Sequence, residues 1–389
     1  MGAPKSIPPS RPAGLSGGKS SLPLVRAGMG APEVGEIEAW TDEEYRRATG
    51  LFRVLSTKDQ KKGQIDGQVD RTSLPAFDPA ALREAYRTML RARALDAAAR
   101  ELVRAERIGS YAATGGNEAA IVGAVAALSP DDVVAPGRRA AGAAIARGYP
   151  VAALVAQLFG NAHDLSCGRR LPGCPAVPRA LNILPASDHA GTQLPQAAGV
   201  AWAAKMQKKP TVALATFEAL EIDAEDFHTG VNFAGVFRLP VIFVCINDGK
   251  SKSLMTSETI AVRALAYGIA GLRVDGGDFL AVAASVRAAA ERARRGEGAT
   301  LIEAVLEDGV EGGADPIARL GVWLASEKVL DAAAAEALRL AVEAEVRSAV
   351  AAEEPIGPPG ARALIEQVLA LPSAALESQL AELGRARRP

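Results

Sequence analysis

The chain has 389 residues, 49% of them hydrophobic, and a formal net charge of −1, which suits one large buried core with a smaller appendage. So balanced a charge excludes bulk attraction to nucleic acid or to an anionic membrane surface. The longest apolar runs, such as 241–246, are strand-length, and charged residues interrupt the Ala-rich stretches well before bilayer-spanning length, so a soluble protein with no membrane partner is expected.

Residues 1–34 are dominated by Pro, Gly, Ser and Ala, with Lys5, Arg11, Lys19 and Arg26 but no compact apolar stretch. That composition buries too little apolar surface to offset ordering entropy and lacks the core of an export signal, so disorder is expected. In 35–56, Ile37, Trp40, Tyr45, Leu51, Phe52 and Val54 can anchor an arm, expected to dock on a neighbour, before the polar stretch 57–68. From Asp78 the pattern is regular: an N-cap Asp, Pro at the first helical position and a long amphipathic period predict a helix ending near Gly109. Beyond it, "DDVVAPG", "TVALATF", "PVIFVCIND", "LRVDGGD" and "ATLIEAVLE" are short apolar runs separated by helical segments. Continuous apolar strands between helices predict an α/β domain with a buried parallel sheet.

Three cysteines, Cys167, Cys174 and Cys245, form no CxxC pair and leave an odd count, which fits reduced thiols in a cytoplasmic setting. Cys167 and Cys174 with His163 are three loosely spaced ligand types on a Pro/Gly loop, a pattern commoner in ordinary loops than in metal sites. After Val310 the periodicity is helical, broken by "EEPIGPPGA" before a last helix from Ala361 to about Leu383. The expected organisation is a disordered N-terminus and docking arm over 1–75, an α/β domain over 76–310 and a helical C-terminal extension over 311–389.

The stretches "DPAALREAYRTMLRARALD", "ERIGSYAATGGNEAA", "GTQLPQAAGVAWAAK", "DFHTGVNFAGVFRLPVIFVCIND" and "VRALAYGIAGLRVDGGD" together resemble the α subunit of the decarboxylating component of 2-oxoacid dehydrogenase complexes. This family includes the pyruvate and branched-chain 2-oxoacid dehydrogenases. The resemblance runs in order and at near-family spacing over about 51–307, and "CGRRLP" with the Pro-rich tail near Glu354 leans toward the branched-chain type. It implies the thiamin-diphosphate-binding fold, a parallel sheet flanked by helices on both faces. It also implies an α2β2 assembly with thiamin diphosphate and Mg²⁺ held between chains, and acyl transfer to a lipoyl arm on an acyltransferase core. The α chain of such an assembly holds the diphosphate and metal; the β chain supplies the glutamate that activates the aminopyrimidine.

The family builds its diphosphate site from a Gly-Asp-Gly turn after one strand and an Asn-Asn pair after the next, since a diphosphate needs close backbone N–H groups, a cation and an arginine. Here the turn positions read Glu218, Ala219 and Leu220, with Ala219 where the metal-binding aspartate belongs. Glu218, Glu221, Asp223, Glu225 and Asp226 place five carboxylates within nine residues, a like-charge barrier to phosphate. Asp248 matches the second asparagine, the candidate metal ligand, with Lys250 two positions on. Of the pair that grips the diphosphate, matched by Arg138 and Arg139, Arg139 carries over as a cofactor contact. Gly191, Thr192, Gln193 and Pro195 keep the family pattern, so Gly191 and Gln193 join Arg139 as candidate cofactor-binding residues, and their plainer role is to turn into the following helix. Ala190 stands for the bulky residue that props the cofactor, and His189 for a proline. His189 can titrate near neutral pH and serve as acid or base, but an uncommitted loop residue is the plainer reading. His228 reads as a satisfied helix-surface residue.

The family's catalytic and regulatory loop matches "EDGVEGGADPIARLG", which contains no His, Ser or Thr and places Glu311, Gly312 and Gly313 at the functional positions. No residue is therefore assigned a catalytic role. One reading is a catalytically impaired subunit that keeps the body for packing on a β partner or another α chain. The other is an active α subunit for thiamin-dependent oxidative decarboxylation of pyruvate or branched-chain 2-oxoacids, using Arg139 and Asp248 in a rearranged site. A third, in which the acidic turn holds a cation or an amine, is weakest, because acidic residues at a helix start are favoured by the helix dipole alone.

Overall fold

The computed structural model describes residues 41–55, 77–139, 141–249, 257, 259–306, 315–366, 368, 369, 371 and 373–386. Residues 1–40 and 307–314, with Glu311, Gly312 and Gly313, lie outside them, as does Lys250.

In chain order the helices and strands are α1 (Asp42–Thr49), α2 (Pro79–Arg104), α3 (Glu118–Ala126), β1 (Val133–Ala135), α4 (Ala141–Ala146), α5 (Val151–Phe159), α6 (Gln193–Met206) and β2 (Ala213–Glu218). They continue with α7 (Glu225–Val236), β3 (Val241–Asn247), β4 (Ala270–Asp275), α8 (Phe279–Arg294), β5 (Thr300–Val305), α9 (Pro316–Ser326), α10 (Ala332–Glu353), α11 (Ala361–Glu366) and α12 (Ala374–Ala386). The five apolar runs marked out in the sequence are the five strands. They form one sheet in the order β1-β2-β3-β5-β4, every pair parallel.

Both faces of the sheet are buried, which is why its strands read as unbroken apolar runs rather than as alternating ones. Leu214, Ile242, Val244, Ile246 and Ile302 point into a core shared with α2, α3, α4 and α8. Their neighbours Ala215, Phe217, Val241, Phe243 and Leu301 point the other way, onto Leu194, Ala197 and Ala201 of α6 and Phe227 and Val231 of α7. The result is a three-layer α/β architecture with the helices on both faces.

The long helix ends at Arg104, five residues short of the expected stop. Asp78 caps it, its Oδ2 accepting from Ala81 N at 3.0 Å. Residues 41–55 of the arm pack on their own chain. Phe52 pairs with Val274 beside β4, and Val54 and Leu55 are buried. The Val54 and Leu55 backbone N–H groups both donate to Asp278, the N-cap of α8, which is 0% exposed. Arg319 of α9 clamps this junction, with Nη1 at 2.8 Å from Asp275 and Nη2 at 3.3 Å from Asp278. Burial nevertheless pushes the Asp278 carboxyl above its ordinary range, against the pull of Arg319. On α10, Val342, Val346 and Ala349 are buried, and the helix lies against α2 and α5. The expected single last helix is two, α11 and α12; the proline at 372 disfavours helical geometry for the residue before it.

Candidate functional site

In a parallel sheet flanked by helices, ligands sit in the crevice outside the carboxyl ends of the strands. Here the ends of β1, β2 and β3 bring four candidate residues to one place. Arg139 follows β1, Glu218 ends β2, Asp248 follows β3, and Gln193 opens α6 behind them. Arg139 Nη1 lies 3.0 Å from Glu218 Oε2 and 3.7 Å from Asp248 Oδ2. Its Nε donates to Ala113 O at 2.6 Å and its own carbonyl accepts from Asn117 Nδ2 at 3.0 Å, so both ends of the residue are fixed.

Beyond Glu218 the backbone enters a 3-10 turn, Ala219–Asp223. With three residues per turn, positions three apart share a face. Ala219 and Ile222 are buried in the core at 2% and 0% exposure, whereas Leu220 is 65% exposed. Glu218 and Glu221 share the remaining face, toward the crevice. The apolar pair spaced by three was the signal in the sequence that this stretch turns in on the core.

Of the five clustered carboxylates, therefore, two reach the site. Asp223 lies 3.9 Å from Arg263. Glu225 and Asp226 occupy the first turn of α7, where the helix dipole favours them, and Asp226 also accepts from Thr192 Oγ1 at 2.8 Å. Glu221 was not anticipated as a site residue, yet its Oε2 accepts from Gln193 Nε2 at 2.8 Å. Burial raises its carboxyl, opposed by that bond and by the backbone N–H groups of Glu218 and Gly191. Gln193 Nε2 also donates to Thr216 O at 3.0 Å, tying α6 to β2. Gly191 has φ of +78°, and an added Cβ there would lie 3.3 Å from Asp226 Cβ, so the turn into α6 is glycine's by conformation. Burial pushes Glu218 up to about 7, with Glu221 and Asp248 adding to the rise and Arg139 opposing it.

Beside the crevice lies an open cleft of about 690 Å³, lined by Arg169, Arg170, Cys174, Asp188, His189 and Gln196 among others. Arg170 Nη1 donates to Ala186 O at 2.6 Å, and Arg138 lies 4.0 Å from Asp188. His189 is exposed, its backbone N–H donating to Ser187 Oγ at 3.1 Å. His228 meets the Tyr267 hydroxyl through Nδ1 at 2.5 Å, a satisfied helix residue. Cys167 and Cys174 are buried free thiols, and among the described residues no three His, Cys, Asp or Glu are grouped to hold a metal.

The model of one protein family, the dehydrogenase E1 component, matches residues 86–306, more than half of the chain. The chain belongs to the dehydrogenase E1 component family. It is 39% identical over 268 residues to 2-oxoisovalerate dehydrogenase subunit alpha 1, mitochondrial, of Arabidopsis thaliana, covering 67% of this chain and 55% of that protein. It is 41% identical over 227 residues to 2-oxoisovalerate dehydrogenase subunit alpha of Bacillus subtilis strain 168, covering 57% and 68%. Over 267 residues it is 34% identical to the pyruvate dehydrogenase E1 component subunit alpha of Bacillus cereus, covering 67% and 68%. The chain thus spans about half the length of the plant relative and two thirds of the bacterial ones. A solved Mycobacterium smegmatis protein, described as a thiamin diphosphate-dependent enzyme, aligns at TM-score 0.33 and 15% identity over 49% of this chain and 31% of its own, a likeness too slight to bear on the fold.

Membership of the E1 family accounts for the parallel sheet with helices on both faces. The resemblance implies a diphosphate and a divalent cation at this crevice, and two features of the chain stand against them. The position that must approach a phosphate through bare backbone carries side chains, with Ala219 seated in the core. Arg139, at the centre, is already paired with two carboxylates.

Proposed function

We propose that this chain is a catalytically impaired α subunit of a 2-oxoacid dehydrogenase decarboxylating component, acting as a structural or regulatory subunit with a β partner in an α2β2-like assembly or with another α chain. The observation that carries the reading is the pairing of Arg139 with Glu218 and Asp248 at 3.0 and 3.7 Å. A cationic group that would neutralise a phosphate is spent on the chain's own carboxylates, and a polyanion entering there meets like charge. The sheet, the helices on both faces and the core are meanwhile complete. A body fit for assembly is thus kept while the arginine for charge neutralisation is engaged within the chain. Such a subunit can occupy an α position against a β chain or near a lipoyl acyltransferase core without itself turning over substrate.

The second reading is an active α subunit for thiamin-diphosphate-dependent decarboxylation of pyruvate or branched-chain 2-oxoacids. What favours it is the convergence of Arg139, Gly191, Gln193 and Asp248 on one crevice. Calorimetric titration of thiamin diphosphate and Mg²⁺ into the chain, alone and co-purified with a β subunit, separates the two. A stable complex without saturable heat is expected. Mg²⁺-dependent binding, together with 2-oxoacid decarboxylation that requires this chain and vanishes on Arg139→Ala, would establish the active enzyme instead.

A further inference from the structure

Two carboxylates hold the donors of the crevice, and they do so from adjacent turns of the same short segment. Glu218 takes Arg139, the cation. Glu221 takes the Gln193 side-chain amide at 2.8 Å. A guanidinium and a side-chain amide at the carboxyl ends of parallel strands, beside the opening of a helix, are what a bound phosphate or carboxylate would otherwise recruit. Both groups are largely withdrawn from solvent: Glu221 is 7% exposed and the Glu218 side chain 19%.

We infer that Glu218 and Glu221 are a built-in pseudo-ligand, closing an anion-binding crevice whose side-chain donors, Arg139 and Gln193, are intact. The 3-10 turn that seats Ala219 and Ile222 in the core fixes the two carboxylates at their positions, so the closure is a property of the fold and not of a mobile side chain. The inference rests on the non-catalytic reading, and it specifies why the crevice refuses a diphosphate: occupation by the chain itself rather than decay of the donors. The ligand class of the opened crevice is a small polyanion of the diphosphate type.

The test uses the full chain, with inorganic pyrophosphate as the probe and calorimetry as the readout. The wild type is expected to show no saturable binding at millimolar pyrophosphate. Glu218→Ala/Glu221→Ala, which removes these two carboxylates and leaves Asp248 beside Arg139, should bind at least about ten-fold more tightly, the gain of one charge-assisted contact. Adding Arg139→Ala to that background should abolish the gain. If the alanine pair does not fold, Glu218→Gln/Glu221→Gln removes the charge at constant size and should show a smaller gain of the same sign. Folded variants that bind no better than wild type would overturn the internal-ligand inference and leave the non-catalytic reading standing. Wild type binding as tightly as the variants would overturn both. A gain that survives Arg139→Ala would also overturn the inference, since the anion would then be held elsewhere.

Discussion

Glu218→Gln gives the sharpest quantitative test of the crevice's electrostatics, because the group is buried, its displacement is large and its sign is fixed by linkage. Its carboxyl is raised from 4.5 to about 7, chiefly by burial, with Glu221 and Asp248 adding to the rise and Arg139 opposing it. The folded chain therefore holds this proton more tightly than the unfolded chain does. Between pH 4.5 and 7 the native state binds more protons than the unfolded state, so stability falls as pH rises through that window. The contribution is fully present below 4.5 and lost by about 7. A displacement of about 2.5 units at about 1.4 kcal/mol per unit gives a fall of about 3 kcal/mol. Glutamine does not titrate, so this component should vanish from the variant. Urea unfolding followed by tryptophan fluorescence, repeated across that range, yields both curves. Glu221 and Asp278, also raised by burial, tilt both proteins the same way and largely cancel in the difference. Wild-type and variant profiles that run parallel from pH 4.5 to 7 would refute the placement of Glu218 in a dry crevice.

Two further outcomes are expected. Arg319→Met leaves Asp278, 0% exposed, without the cation that faces it and unpins the arm at Val54 and Leu55; a loss of about 3–5 kcal/mol is expected in urea unfolding, and a loss below about 1 kcal/mol would contradict the clamp. The three-residue register of the turn after β2 predicts that Ile222→Ala costs about 2–5 kcal/mol while Leu220→Ala two positions earlier stays within about 0.5 kcal/mol, with comparable losses from both denying that register.

The fold was legible in the chain because its signals are local. Strands such as 241–247 are apolar over their first six positions, and helix starts such as Asp78-Pro79 carry their own caps; both follow from backbone geometry and burial on two sides, which a one-dimensional pattern records. The contacts of the arm at 41–55 within its own chain were not legible, for the opposite reason. Its partners, Asp275, Asp278 and Arg319, lie more than two hundred residues away, and nothing local announces them.

The sequence by itself determined the family, the two-sided sheet and the presence of Glu218, Ala219 and Leu220 where the resemblance implies a Gly-Asp-Gly turn, since these are matters of residue identity at fixed spacing. It counted five acids near the phosphate position but could not sort them. Only the tertiary structure decided that Glu218 and Glu221 turn inward while Asp223 meets Arg263 and Glu225 and Asp226 sit at the start of α7, because direction is set by which side chains the core accepts. It also decided that Arg139 is engaged by the chain's own carboxylates. A charge's partner depends on distance in space, and the three strand ends that bring these groups together are joined only by the folded sheet.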